Sequence, residues 1–191
     1  LNSMNLSNCK GDVLWSNFHS RLSTVFHSNP IETTLTRSQL SECTFTVPGN
    51  DDAVPYRTSY YAQDYGICMP KRLLDTLTDD EYYLKIDSEF YPTNLKVCEY
   101  IVPGKSKKEI LFCSYICHPS MANNELSGPI TVVSLLEELL SKGYSGYYTL
   151  RFCLFPETIG ALALLKIRGE HLMENLVAGY VLTCIGDSAP L

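Results

Sequence analysis

An imidazole, two amides and a carboxylate share one short segment, Cys117-His118-Pro119-Ser120-Met121-Ala122-Asn123-Asn124-Glu125-Leu126-Ser127-Gly128-Pro129. Two further carboxylates, Glu157 and Asp187, each close an apolar run later in the chain. Histidine and carboxylates together are donors that Zn²⁺ takes at about 2.0–2.2 Å. A carboxylate that is not a ligand can serve as general base toward water on such an ion. Each residue alone has a plainer role. A histidine after a strand is most often an ordinary loop residue. Glu157 fits the first turn of a helix, where the macrodipole favours it, and Asp187 after Gly186 is common turn chemistry. The chemical reading gains weight only because three such placements coincide.

The elements that must position them are clear in the last hundred residues. Glu109 to Ile116 reads as a buried strand that empties into the histidine loop. A helix starts on Ser127-Gly128-Pro129, carries Ile130, Val133, Leu136, Leu139 and Leu140 at helical spacing to Lys142, and ends at Gly143. Tyr147 to Phe155 reads as a second strand, Pro156 to Gly160 as a turn, and Leu162 to Lys166 as the start of another helix. Ala178 to Ile185 reads as a third strand that stops at Gly186-Asp187. This alternation predicts an α/β fold with a mostly parallel sheet and covered faces. Right-handed crossovers put the three strand ends on one edge, where open α/β sheets bind ligands. Leu95 to Val102 is expected as a further strand, with Glu109 to Ile116 returning antiparallel beside it after the Pro103-Gly104 turn.

The first half is less informative. Residues 1–30 read as polar and irregular, with Trp15, Phe18, Leu22 and Phe26 as scattered anchors. Thr36 caps a short helix over Leu35 to Leu40. Turn chemistry fills Pro48 to Pro55, followed by short β units at Tyr56 to Tyr61, Tyr65 to Met69 and Tyr82 to Ser88, with a helical turn or two over Pro70 to Leu77. The expected organisation is an N-terminal segment over 1–47, a small β-rich subdomain over 48–94 and the α/β core over 95–191. The Tyr60-Tyr61 pair suits a substrate pocket or, more commonly, a half-buried sheet face.

Composition bounds the function. The 191 residues are 45% hydrophobic and 19% charged, an ordinary globular balance, and the net charge of -6 argues against a nucleic-acid or anionic-membrane partner. No apolar run approaches the roughly 20 residues of a membrane span. Leu1 to Asp12 lacks a signal-peptide pattern, and the missing initiator methionine hints at a fragment. The eight cysteines form no CxxC pair. Cys113 and Cys117 on one strand would stand about 13 Å apart, too far to bridge. Reduced thiols and a cytoplasmic location are the expectation.

Four runs together carry a resemblance: Val54 to Tyr61, Cys117 to Pro129, Phe155-Pro156-Glu157-Thr158-Ile159-Gly160, and Thr183-Cys184-Ile185-Gly186-Asp187. Over roughly residues 22–191 the chain resembles the aminopeptidase-like proteins associated with polysaccharide biosynthesis, which belong with the co-catalytic di-zinc exopeptidases. The resemblance implies a phosphorylase/hydrolase-like (zinc exopeptidase) core interrupted by a small inserted domain, the tyrosine-rich 48–94. It also implies a longer full-length protein, with further core strands, a distal histidine and often a winged-helix domain.

Residue by residue, the family's first histidine ligand matches His118, its general base matches Glu157, and a later strand-end aspartate ligand matches Asp187. Asn124 stands where the family has a bridging aspartate, Thr158 where a glutamate ligand follows the base, and Ser120 where a carboxylate orients the imidazole. A bridging carboxylate offsets the repulsion of two cations about 3.5–4 Å apart, which a neutral amide does not. The implied cofactor is zinc, as one or two ions. A one-ion site would draw on His118, Asp187 and a residue beyond position 191, and Glu125 is a stand-in carboxylate or a first-turn capping residue. The implied activity is attack of metal-activated water on a peptide or amide bond of a small peptide or amino-terminal substrate. The alternatives are a silent binding module that keeps the crevice, and an amidohydrolase acting on a modified sugar.

Overall fold

The structure, a computed structural model, describes residues 1–59, 61–62 and 64–188. The chain divides into two compact units, Leu1–Pro92 and Thr93–Leu191. The first comprises β1 (Ser3–Ser7), β2 (Val13–Ser16), β3 (Ile31–Thr36), α1 (Arg37–Glu42), β4 (Thr44–Phe45), β5 (Ile67–Cys68), α2 (Lys71–Thr76) and β6 (Glu81–Asp87). Its main sheet has the order β2-β1-β6-β3, with β6 antiparallel to both neighbours. β6 alternates exposed and buried residues without a break, so that Tyr82, Leu84 and Ile86 share a core with Met4 and Leu6 of β1.

Two expectations change here. Residues 1–30 are not irregular, because Ser3-Met4-Asn5-Leu6-Ser7 and Val13 to Ser16 are paired strands. β1 sets only Met4 and Leu6 among polar residues, and β2 is only four residues long. Residues 48–94 also do not stand apart as an inserted subdomain, since β6 lies between β1 and β3 of the first 47 residues. The strands of the first 47 residues hydrogen-bond both edges of β6. The short helix is present as α1. Thr36 Oγ1 accepts from Gln39 N, and Gln39 Oε1 accepts from Thr36 N, a reciprocal cap. The stretch before Tyr60 forms only an isolated bridge, Thr58 with Phe26. Tyr60 lies outside the described residues, and Tyr61 is fully exposed.

The second unit contains β7 (Cys98–Val102), β8 (Glu109–Tyr115), a π-helical turn (Ala122–Ser127), α3 (Gly128–Ser141), β9 (Thr149–Phe155), α4 (Ile159–Asn175) and β10 (Leu176–Val181). The sheet order is β10-β8-β9-β7, with β10, β8 and β9 parallel and β7 antiparallel to β9. Alternate side chains face opposite sides: Cys113, Cys153 and Phe155 pack with Leu164 and Leu172 of α4, while Leu150 and Phe152 pack with Val132 of α3.

The expected hairpin of β7 with β8 does not form, because β9 lies between them. The connection from Pro103 to Lys108 crosses the entry to β9 instead. Lys105 N donates to Gly146 O (3.1 Å), Ser106 N to Tyr147 O (2.8 Å) and Thr149 N to Lys108 O (2.9 Å). Its six residues easily span the two-strand interval of about 10 Å. Gly104 permits the crossing, since a Cβ there would meet Tyr148 O at 2.2 Å. All eight cysteines are free thiols. Among the described residues, no helix is long and apolar enough to cross a membrane.

Candidate active site

β8 and β9 run parallel in register from Glu109↔Thr149 to Tyr115↔Phe155, so their following loops emerge side by side. The first loop presents His118. Its Nδ1 lies 2.5 Å from Glu125 Oε1, and the same carboxylate accepts from His118 N (2.7 Å) and Cys117 N (2.9 Å). Glu125 is buried at 7% exposure and sits on the π-helical turn, a local widening of the helix that recurs at functional sites. With Nδ1 facing a carboxylate, the imidazole is held in the orientation that metal-binding histidines adopt. Its Nε2 faces Glu157 Oε2 at 3.5 Å.

Glu157 is fixed from the other loop. Its N–H donates to Cys117 Sγ (3.2 Å), and its carbonyl accepts from Ile159 N (2.6 Å) across Thr158. That sulfur also lies 3.1 Å from His118 Nδ1. Among the described residues, one donor atom each from Cys117, His118 and Glu157 lie within 4.8 Å of one another. Burial of the sulfur, and then the Glu125 carboxylate, push the Cys117 thiol up; the N–H of Glu157 pulls the other way. A cleft of about 410 Å³ opens here, lined by Cys117, His118, Ser120, Met121, Glu125 and Leu126 among others.

The end of β10 joins a different part of the loop. Asp187 Oδ2 accepts from Asn123 Nδ2 (2.6 Å), Gly186 N donates to Asn123 Oδ1 (2.7 Å), and Ile185 N donates to Ser127 Oγ (3.0 Å). Asn124 Nδ2 donates to Tyr115 OH (2.9 Å), and that hydroxyl lies 2.6 Å from Thr183 Oγ1. Asn124 Oδ1 is buried without a hydrogen-bond partner. Gly128 lets the start of α3 close on this segment, since a Cβ would fall 2.0 Å from Leu182 O.

The three expected strand ends therefore interlock in two pairs. His118 meets Glu157, whereas Asp187 meets Asn123 and Asn124 meets Tyr115, and among the described residues Asp187 does not belong to the Cys117-His118-Glu157 group. Sequence reasoning passed over Cys117 and gave Glu125 a different part. Glu125 caps no helix here; it holds the histidine, the part that the resemblance implied for position 120. The available signal was that Ser120 leaves that part unfilled and Glu125 is the remaining carboxylate of the segment.

Mixed α/β architecture with several sheets and a histidine–carboxylate cluster beyond parallel strand ends defines the class. Within it, the chain belongs to the family described as Domain of unknown function (DUF4910), which matches residues 12–191. It is 37% identical over 181 residues to a Clostridium acetobutylicum protein named for polysaccharide biosynthesis with an aminopeptidase-like domain, covering 95% of this chain and 41% of that one. A crystal structure from Clostridium acetobutylicum, described as a peptidase, matches with a TM-score of 0.91 at 35% identity, covering 99% of this chain and 44% of that one. The chain thus spans about two fifths of the length of these relatives. The resemblance to aminopeptidase-like proteins associated with polysaccharide biosynthesis, read from four short runs, is shown by these matches.

Proposed function

We propose that the protein is a metal-dependent, aminopeptidase-like hydrolase of the cytoplasm, cleaving a peptide or amide bond near the amino end of a small substrate. One observation carries this reading: His118, clamped through Nδ1 by buried Glu125, turns Nε2 toward Glu157 at 3.5 Å. The donors suit one zinc ion better than two. Asn124 has no charge with which to bridge two cations, and Thr158 brings no carboxylate. His118 would hold the ion through Nε2. Asp187, the second ligand that the resemblance implies, lies outside the Cys117-His118-Glu157 group and accepts from Asn123 Nδ2, so it would have to turn toward His118 to join the ion. Zinc in such a place polarises a carbonyl and makes water more acidic.

The chain's own residues do the rest. Glu125 fixes the imidazole, and Glu157, half-exposed beside Nε2, takes a proton from water as general base and can return it to the leaving amine. Glu157→Gln should cut turnover of aminoacyl amides by about 10²–10⁴-fold in the full-length protein. Unchanged turnover in that variant sinks the catalytic reading. A specific observation also favours a silent binding module: Asn124 is turned into a contact with Tyr115 rather than offered as a ligand. Ligand binding that is indifferent to a chelator, with no hydrolysis, would favour that module.

A further inference from the structure

We infer that Cys117 is a positioning residue for the proposed reaction: its thiol ties the loop after β9 to the loop after β8 and so sets the Glu157 carboxylate against His118 Nε2. The inference rests on Glu157 as general base, as proposed above, and gives the sulfur no part in holding an ion.

The tie stands where the sheet stops. Beyond the last paired residues, Tyr115 and Phe155, one more backbone bond forms, Ile116 N to Phe155 O at 3.0 Å. A parallel ladder takes its donors from every second residue of a strand. Pro156 has no N–H to give, and the next donor on the β9 side is Glu157. Its N–H goes not to a backbone carbonyl but to Cys117 Sγ at 3.2 Å. The thiol thus adds one side-chain rung to the β8–β9 ladder, at the residue that carries the base.

The same sulfur reaches the support of the histidine. It lies on the Nδ1 side of the ring, 3.1 Å from that nitrogen, and its S–H donates toward Glu125 Oε1 at 3.5 Å. A thiol can donate once while its sulfur accepts, so both contacts are made together. They join Glu157 N–H, the thiol, Glu125 and the imidazole in one series, which closes across the ring where Nε2 faces Glu157 Oε2 at 3.5 Å. Two carboxylates beside the sulfur oppose a thiolate, the form a nucleophile needs, and leave it the part of a neutral link. Each bond to sulfur is weak, but a displacement of about 1 Å at a reacting group can cost about 10²-fold in rate.

The test is steady-state hydrolysis of an aminoacyl amide by the full-length protein. Cys117→Val keeps the bulk of the side chain and removes both of its hydrogen bonds. Its kcat should fall about tenfold to a hundredfold with KM unchanged. Cys117→Ser, which keeps a donor and an acceptor, should recover most of that loss. In a Glu157→Gln background, Cys117→Val should cost nothing further, because the thiol acts only through the base. A full kcat in Cys117→Val, a Cys117→Ser variant as slow as Cys117→Val, or an undiminished effect in the Glu157→Gln background would each overturn the inference. Hydrogen exchange at the Glu157 amide reads the tie without turnover, and should quicken at least about twofold in Cys117→Val but not in Cys117→Ser. An exchange rate unchanged in Cys117→Val removes the tie whatever the turnover. The exchange difference in a wild type that hydrolyses no amide removes the proposed function and leaves the thiol as the tie that sets Glu157.

Discussion

Residues 93–188 contain two clusters of histidine and carboxylate, and they are built on opposite plans. Beneath α4, Arg151 on β9 is 3% exposed and reaches Glu109 on β8 with two hydrogen bonds, Nε to Oε2 at 2.8 Å and Nη2 to Oε1 at 2.9 Å. Its Nη1 takes Glu99 of β7 at 2.5 Å, and α4 adds Arg168 to Glu99 and His171 to Glu109. Every carboxylate there faces a guanidinium. Beyond the strand ends, Glu125 instead faces an imidazole, a thiol and two backbone N–H groups, while half-exposed Glu157 faces the imidazole. The first plan neutralises buried charge and locks three strands to a helix. The second concentrates negative charge around a ring nitrogen, an arrangement that the proposed zinc ion would complete. Residue types alone do not distinguish a structural cluster from a functional one; the partner of each carboxylate does.

The sharpest way to break this comparison is to remove the guanidinium. Arg151→Met leaves buried Glu109 without its main cation and half-buried Glu99 with Arg168 alone, and should cost about 3–5 kcal/mol at neutral pH. The denaturant midpoint of the full-length protein measures it. A loss under about 1 kcal/mol would mean that the network is no more structural than a surface pair.

The same pair predicts a pH dependence. Burial alone would raise the Glu109 and Glu99 carboxyls, but Arg151, with His171 at Glu109 and Arg168 at Glu99, holds both below their ordinary range. A carboxyl whose folded value lies under its unfolded one stabilises the fold at neutral pH. That contribution begins to fall near the unfolded value of about 4.3 and is lost as pH drops through the depressed folded value. In Arg151→Met the Glu109 carboxyl loses most of that depression, and Glu99 keeps only Arg168, so both protonate more readily. The gap in stability between wild type and variant should therefore narrow below about pH 4.3, and thermal melts across that range would show it. A gap that stays constant or widens in acid would contradict the network's assigned role.

At the strand-end cluster the expected order of effects reverses. Glu125→Gln keeps the shape of the side chain and one acceptor for the backbone N–H groups of Cys117 and His118. Zinc affinity should nevertheless fall about 10–100-fold, the usual consequence of removing the group that orients a metal-bound histidine. Its cost in stability should stay under that of Arg151→Met. Zinc titration beside a denaturation curve separates the two, and a variant that loses stability while keeping zinc affinity would place Glu125 with the structural cluster.

What was legible in the chain follows the same division. The covered strands and α3 were readable because Glu109 to Ile116, Tyr147 to Phe155 and the Ile130–Leu140 spacing are strongly apolar and periodic. Their right-handed succession was enough to bring His118 near Glu157. Strand order was not readable, since whether β7 joins β8 or β9 depends on how the 103–108 connection crosses Tyr148 and Thr149, a long-range matter. In β1, three polar residues from Ser3 to Ser7 mask an alternation completed only by pairing with β6, and β2 is too short, at four residues, to show a period. Glu125 was assigned to the wrong contact because a widened helical turn, not its distance from His118 in sequence, points it back at the imidazole.

The smallest expected effect carries the opposite sign. Three of the four non-glycine residues with positive φ among those described lie in the strand-end loops: Ser120 at 63°, Thr158 at 59° and Cys184 at 51°. Thr158, with ψ at -67°, sits at the centre of a γ-turn closed by Ile159 N and Glu157 O at 2.6 Å. This is the strained form of that turn, and β-branching worsens it. Residues held this way cost of order 1–3 kcal/mol and cluster where function fixes geometry. Here the turn aims the Glu157 N–H at Cys117 and its carboxylate at His118. Thr158→Gly relieves the strain but gives back unfolded-state entropy, so a net gain of up to about 1 kcal/mol is expected, with weaker zinc binding. No position in the Arg151 network should behave so, because nothing there is held against its own preference. A loss of stability in Thr158→Gly would show that the strand-end cluster, like the other, is built for the fold first.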